Sequence, residues 1–139
     1  MNILTNAIKY NKNNGKICIE FNEIQKNYNT IIIRFKCEDT GIGMSESFQK
    51  TIYEPFAQEK AWARTVYGGT GLGMPITKSL VEKMGGTISF ESEQGVGTTF
   101  YIELPFQIDH NIKHEELKTK EIKKHRSRVS MYCLSKIMN

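Results

Sequence analysis

Apolar and polar positions alternate along this chain with two different periods, and the switches between those periods mark its elements. Ile3, Leu4, Ala7 and Ile8 fall at offsets that share one helical face, so Asn2 to Tyr10 reads as a helix, broken by Asn11, Asn13, Asn14 and Gly15. A period of two follows. Lys16–Phe21 and Thr30–Asp39 read as strands; in the second, Ile31, Ile33, Phe35 and Cys37 alternate with Ile32, Arg34, Lys36 and Glu38, the pattern of a sheet with one buried face. Asn27, Tyr28 and Asn29 supply the turn between them. From Thr40 to Gly73 glycines cluster at both ends with few apolar runs between, which predicts a functional loop region with short helices and a mobile lid. The helical period returns in Leu72, Ile76, Leu80 and Met84, spaced by four on one face. Pro75 is tolerable in the first turn and Gly85-Gly86 ends the helix. Two strands close the pattern: Thr87–Ser92 with Ile88 and Phe90 inward, and Thr98–Leu104 with Phe100, Ile102 and Leu104 inward, ended by Pro105.

This order of elements predicts an α/β two-layer sandwich, with a mixed, mostly antiparallel sheet of hairpin-like strand pairs and helices on one face. Residues 1–106 form the domain. Beyond Gln107 the chain turns Lys/Glu-rich and reads as a helix through about Arg126, without a continuous apolar stripe, so 107–139 is expected to be a helical or disordered tail outside the core. In its last part Val129, Met131, Tyr132, Leu134 and Ile137 offer some apolar surface.

Charge sharpens this division. Residues 1–106 carry 11 basic and 11 acidic side chains and 107–139 carry 8 and 4, so the whole net charge of +4 lies in the tail. Glu115, Glu116 and Glu121 interrupt the basic run, which argues for a solvated helix or linker and against a nucleic-acid surface. At 139 residues the chain suits one domain with an appendage. It has no apolar run long enough to span a membrane and no signal-peptide pattern, so it reads as cytosolic, with no membrane contact of its own. Cys18, Cys37 and Cys133 are odd in number and far apart, which predicts buried or idle thiols rather than a disulfide framework or a metal site.

The candidate chemistry lies in three glycine-bearing segments: Asp39-Thr40-Gly41-Ile42-Gly43, Gly69-Thr70-Gly71-Leu72-Gly73 and Gly95-Val96-Gly97-Thr98. The second leads directly into a helix, so its N–H groups can converge on phosphate oxygens with the positive end of the helix dipole behind them. No Gly-Lys-Ser/Thr follows and no strand immediately precedes it, so it is neither a Walker loop nor a dinucleotide fingerprint. Asp39 stands at the end of a buried strand, where a rigidly held carboxylate can accept a hydrogen bond from an exocyclic amine such as that of adenine. Gly41 and Gly43 would let the purine ring approach the backbone.

Together these segments resemble a known superfamily, which joins DNA gyrase, heat-shock chaperone ATPases, histidine kinases and mismatch-repair ATPases. Asn2-Ile3-Leu4-Thr5-Asn6-Ala7-Ile8-Lys9-Tyr10 resembles its N box, and the three glycine segments follow in the family's order. Tyr53-Glu54-Pro55-Phe56 resembles the phenylalanine box of histidine kinases, and Phe56-Ala57-Gln58-Glu59-Lys60 is similar to the lid of hybrid sensor kinases. The resemblance covers residues 1–106. It implies the Bergerat fold of a histidine-kinase ATP-binding catalytic domain, with ATP and Mg²⁺ as cofactors. Asn6 would bind Mg²⁺, Asn2 would assist by hydrogen bonding, Lys9 would approach a phosphate and Tyr10 would pack near the nucleotide. Asp39, Gly41, Gly43, Gly69, Thr70, Gly71, Leu72, Gly73 and Thr98 complete the nucleotide contacts, and Arg64 in the lid is a candidate for the phosphates.

The resemblance also implies a reaction. Gyrase-like and chaperone-like members typically carry a water-activating glutamate where this chain has Asn2, and an amide cannot act as a general base. The implied chemistry is in-line transfer of the γ-phosphoryl to a histidine on a separate dimerisation domain, followed by a response regulator, rather than free-standing ATP hydrolysis. His110, His114 and His125 all lie in the tail, and His114-Glu115-Glu116-Leu117-Lys118-Thr119 departs from an acceptor box in spacing, in its missing proline and in location. The chain opens inside the N box, so Met1 reads as an internal methionine, and the family's preceding strand and first helical turn are not in this sequence. The competing expectation is a nucleotide-binding or regulatory fragment without transfer activity. An unpaired sheet edge would offer strand exchange between copies as a route to a homo-oligomer.

Overall fold

The structure, a computed structural model, describes residues 2–59, 70–110 and 132–135. Helix α1 (Asn2–Lys9) turns Ile3 and Ala7 into the core, and the asparagine and glycine-rich stretch after it carries the chain into the sheet. Strands β1 (Lys16–Lys26) and β2 (Thr30–Asp39) form an antiparallel hairpin. Its turn is organised by one side chain: Asn27 Oδ1 accepts from the N–H groups of Asn29 (3.0 Å) and Thr30 (2.7 Å), an Asx turn that does the work of a backbone reversal. β1 runs five residues beyond the expected Phe21, with a register irregularity between Glu23 and Gln25.

A short helix, α2 (Glu46–Gln49), starts where the Ser45 hydroxyl accepts from Phe48 N–H. Helix α3 (Gly73–Lys83) tolerates Pro75 in its first turn because that nitrogen has no intrahelical acceptor to lose. It ends in a Schellman arrangement, with Gly86 N–H donating to Val81 C=O (2.9 Å) and Gly85 N–H to Glu82 C=O (3.0 Å). Strands β3 (Thr87–Glu93) and β4 (Gly97–Gln107) form the second hairpin. Here Pro105 does not end the strand, because β4 pairs with β2 through Gln107 opposite Thr30.

The two hairpins join through the β2–β4 ladder, and a fifth strand, β5 (Tyr132–Ser135), pairs with β1 over Lys16 to Ile19. The order is β3-β4-β2-β1-β5, and every described ladder is antiparallel. The last part of the tail therefore adds to the sheet, and the β1 edge is paired where an open edge was expected. The expected tail helix through Arg126 lies outside the described residues. Cys37 is a buried free thiol whose pKa burial, with the nearby Asp39 charge, raises to about 11. The expectation of idle thiols fails at Cys18, which is disulfide-bonded; in the β1–β5 backbone register it stands opposite Cys133.

Ile3, Ala7, Ile17, Cys37, Met44, Ile52, Met74 and Phe100 form the core between the helices and one face of the sheet. The opposite face is polar. Lys36 lies between Glu38 (2.7 Å) and Glu20 (3.5 Å), and Arg34 pairs with Glu103 (2.5 Å), the cross-strand charge pattern of a sheet that meets water on one side. One expected face is corrected. Ile76, Leu80 and Met84, spaced by four on α3, are 51%, 55% and 56% exposed, while Met74 and Val81 are the buried residues of that helix. The apolar spacing identified a real helical face, but α3 packs on the sheet through a neighbouring one.

Candidate functional site

A cavity of about 460 Å³ opens where the C-terminal end of β2, the start of α3 and one face of α1 converge. α1 serves two surfaces at once. Ile3 and Ala7, four apart, enter the core, while Asn2 and Asn6, also four apart, reach the cavity with Tyr10 one further turn along. The Asn2 amide donates to Gly73 C=O (3.0 Å) and to Thr77 Oγ1 (3.1 Å), tying α1 to the first turn of α3.

Asp39 stands at the end of β2 directly opposite Thr98 of β4. Gly41 N–H donates to Asp39 Oδ1 at 2.8 Å, and the Thr98 backbone N–H also bonds to this carboxylate. Desolvation by burial is the larger influence and raises the Asp39 pKa; the two N–H groups oppose it, and the charge of Glu38 adds to the rise. Beyond Gly41 the chain makes a turn that only glycine suits. Gly43 has φ +63°, and a β-carbon there would run into the carbonyl of Glu93.

The second glycine segment closes the cavity from the other side. Thr70, Gly71 and Gly73 line it at the approach to α3. Gly71 has φ +69°, and a β-carbon at this position would come within 2.7 Å of the Phe56 backbone. Phe56 N–H donates to Gly71 C=O (3.1 Å) and itself holds a left-handed φ of +65° with its ring 63% exposed. A non-glycine residue in that region is strained, and here the strain sits where the phenylalanine-box segment meets the phosphate-loop segment.

Of the residues expected at the site, the fold brings Asn2, Asn6, Tyr10, Asp39, Gly43, Thr70, Gly71, Gly73 and Thr98 to one cavity. Three others stand outside the cavity lining. Gly41 acts one step behind the wall, as a donor to Asp39. Leu72 caps the N-terminal end of α3 without lining the cavity. Lys9 lies with its ammonium 5.1 Å from the centre of the Tyr10 ring, outside the lining. Arg64 and Gly69, with the rest of residues 60–69 of the expected lid region, lie outside the described residues.

The apolar wall was not anticipated: Ile42, Met44, Phe48, Ile52, Met74 and Phe100 line the cavity. Two signals for it exist in the sequence. Met44, Phe48 and Ile52 are spaced by four across α2, and Phe100 follows Thr98 by two, on the same face of β4. An apolar slot beside a carboxylate acceptor suits an aromatic base that carries an amine. At the phosphate end the protein's own donor set is sparse, because among the described residues no cluster of three or more His, Cys, Asp or Glu could hold a metal ion. A neutral amide such as Asn6 fits an ion that keeps its waters and takes its remaining ligands from phosphates, which is the habit of Mg²⁺.

Comparison with known proteins agrees with this geometry. The model of the family described as "Histidine kinase-, DNA gyrase B-, and HSP90-like ATPase" matches residues 1–108. The chain is 43% identical over 102 residues to Histidine protein kinase 1 of Candida albicans, covering 73% of this chain and 4% of that protein. Among solved structures it resembles the catalytic domain of histidine kinase ThkA (TM-score 0.55, 30% identity, 75% of this chain and 61% of that one). It also resembles full-length ShkA in complex with AMPPNP (TM-score 0.54, 28% identity, 74% and 19%). The chain spans only a small part, 4% to 16%, of the length of curated relatives that it matches. Sequence, fold and cavity agree: this chain belongs to the histidine kinase, DNA gyrase B and HSP90-like ATPase family, as an ATP-binding catalytic domain of the sensor histidine kinase type.

Proposed function

We propose that the cavity holds Mg-ATP with its adenine amine on Asp39 and its phosphates toward Thr70, Gly71, Gly73 and the N-terminal end of α3, and that the domain presents the γ-phosphoryl to a histidine on a separate dimerisation domain of the parent protein. The observation that carries this reading is the convergence in one cavity of a carboxylate acceptor, a glycine-lined helix N-terminus and the amides of Asn2 and Asn6. The apolar slot accepts the purine, and Asp39 distinguishes its amine from the carbonyl that guanine presents at the same position. Asn6 is the residue that would hold Mg²⁺, whose role when bound is to neutralise phosphate charge. Asn2 keeps the start of α3 in place through Gly73 and Thr77, and as an amide it takes no proton from water. Hydrolysis is therefore slow, and the phosphoryl group is kept for the acceptor histidine, from which a response regulator receives it.

Residues 1–106 carry the site, and of the basic stretch 107–139 Gln107 ends β4 while Tyr132–Ser135 adds β5 to the sheet. No described helix is long and apolar enough to cross a membrane, in keeping with a domain that works in the cytoplasm. The deciding measurement is calorimetry with ADP. Asp39→Ala should lose about 1.5–3 kcal/mol, tenfold or more in affinity, as expected for a lost charged hydrogen bond. An unchanged ADP affinity in that variant would rule out this pose of the base.

A further inference from the structure

Behind the cavity wall, one peptide unit is held by two side chains that do not themselves line the cavity. Met44 is 8% exposed and contributes its side chain to the wall. Its N–H donates to Ser92 Oγ at 2.9 Å, and its C=O accepts from Gln49 Nε2 at 3.0 Å. The same Gln49 amide donates to Ser92 C=O at 3.0 Å, so the two clamping side chains also tie α2 to the end of β3. Ser92 Oγ reaches further. It donates to Gly97 C=O (3.1 Å) and lies 2.9 Å from Thr98 Oγ1, which is then the donor of that pair. Thr98 is the residue whose backbone N–H bonds to Asp39.

One hydroxyl thus connects the wall residue Met44 to the strand residue that holds the carboxylate acceptor. Met44 also follows Gly43, whose left-handed φ leaves the direction of the next peptide poorly determined by local sterics. Something outside the segment has to fix it. The neighbouring residue is fixed as well, by Ser45 N–H donating to the Glu59 carboxylate at 2.8 Å.

We propose that Gln49 and Ser92 are positioning residues for the purine: they hold Met44 by both its N–H and its C=O, and so set the width of the slot beside Asp39. This rests on the nucleotide reading above. Neither residue touches the base. Both act through Met44, and Ser92 acts also through Thr98.

The test uses the full chain and two probes, ADP and GDP, which share ribose and phosphates and differ only in the base. Wild type should prefer ADP. Gln49→Met, which keeps the bulk of the side chain and removes the donor, and Ser92→Ala should each weaken ADP by about fivefold to tenfold, the scale of one or two hydrogen bonds. GDP should change by less than about twofold, so base discrimination narrows. Ser92→Thr, which restores the hydroxyl, should recover most of the ADP affinity. Thermal melting identifies variants that are folded at the assay temperature; Gln49→Met, on a four-residue surface helix, keeps the test alive if Ser92→Ala is not. Folded variants that keep the wild-type ADP to GDP ratio would overturn the clamp, as would equal losses for both nucleotides, which mark a merely structural role. A wild-type chain that does not prefer ADP would instead overturn the adenine reading, and the clamp with it.

Discussion

Asp39 is held between opposing influences: burial pushes its proton affinity up, and two backbone N–H groups pull it down without cancelling the rise. Because its folded value lies above the ordinary 3.8, the native chain holds this proton more tightly than the unfolded chain does. Its contribution to folding is fully present below pH 3.8 and is lost as pH rises through the folded value. Base recognition has the opposite sign, since only the carboxylate accepts fully from the adenine amine. Titrating ADP affinity downward in pH should show a loss centred above 3.8 that Asp39→Asn abolishes. An ordinary carboxylate midpoint would mean that burial does not govern this group. Asn6 makes a separate prediction, because it is assigned to the metal rather than to the base. Asn6→Ala should weaken Mg-ATP several times more than metal-free ADP, by about 1 kcal/mol or more in the comparison, as for one lost polar contact. Equal losses with and without Mg²⁺ would identify Asn6 as a structural amide.

Among the elements, α3 shows how a correct periodicity leads to the wrong face. Leu72, Ile76, Leu80 and Met84 form the more regular apolar row, yet the helix buries Met74 and Val81. The reason lies at its two ends. Gly73 is bonded to Asn2 of α1, and a β-carbon at Gly86 would strike the Glu103 carbonyl and Leu104 of β4, so contacts at both ends set the rotation of the helix about its axis. Urea unfolding should therefore rank Met74→Ala, costing about 2–5 kcal/mol as a truncation in a packed core, well above Leu80→Ser, within about 0.5 kcal/mol as a surface change. The reverse ranking would mean that the exposed row is the one carrying stability. The two hairpins are easier to read, because Phe35 and Cys37 of β2 and Phe100 and Ile102 of β4 alternate with polar or charged neighbours, and Arg34, Lys36 and Glu103 pair on the wet face. Their extension beyond Phe21 and Pro105 was not readable, since the added residues are held by ladder partners and not by a change of local pattern.

For the molecule as a whole, the length of β2 separates the cavity from His110, the histidine among the described residues. His110 stacks on the Tyr28 ring (4.4 Å) and its Nε2 lies 2.8 Å from Tyr28 C=O, at the turn end of the β1–β2 hairpin. Asp39 is at the other end of β2, a ten-residue strand that spans roughly 30 Å at the rise of an extended chain. Incubated alone with labelled ATP, the chain should gain no acid-labile phosphohistidine. Stoichiometric label on His110, His114 or His125 would contradict an acceptor on a separate domain. What the sequence determined by itself were features written in local chemistry: the periods of helix and strand, the glycines that turns require, and the acid, amides and glycine segments of the N box and nucleotide loops. Local sterics and hydrogen bonding act over a few residues, so these can be read without knowing the fold. Tertiary structure alone decided the rest. It set which face of α3 is buried, placed β5 beside β1, moved Lys9, Gly41 and Leu72 out of the cavity lining, and assembled the apolar wall from Met44, Phe48, Ile52 and Phe100. Those outcomes depend on groups far apart in sequence meeting across the sheet, and their energies exist only once the elements have packed.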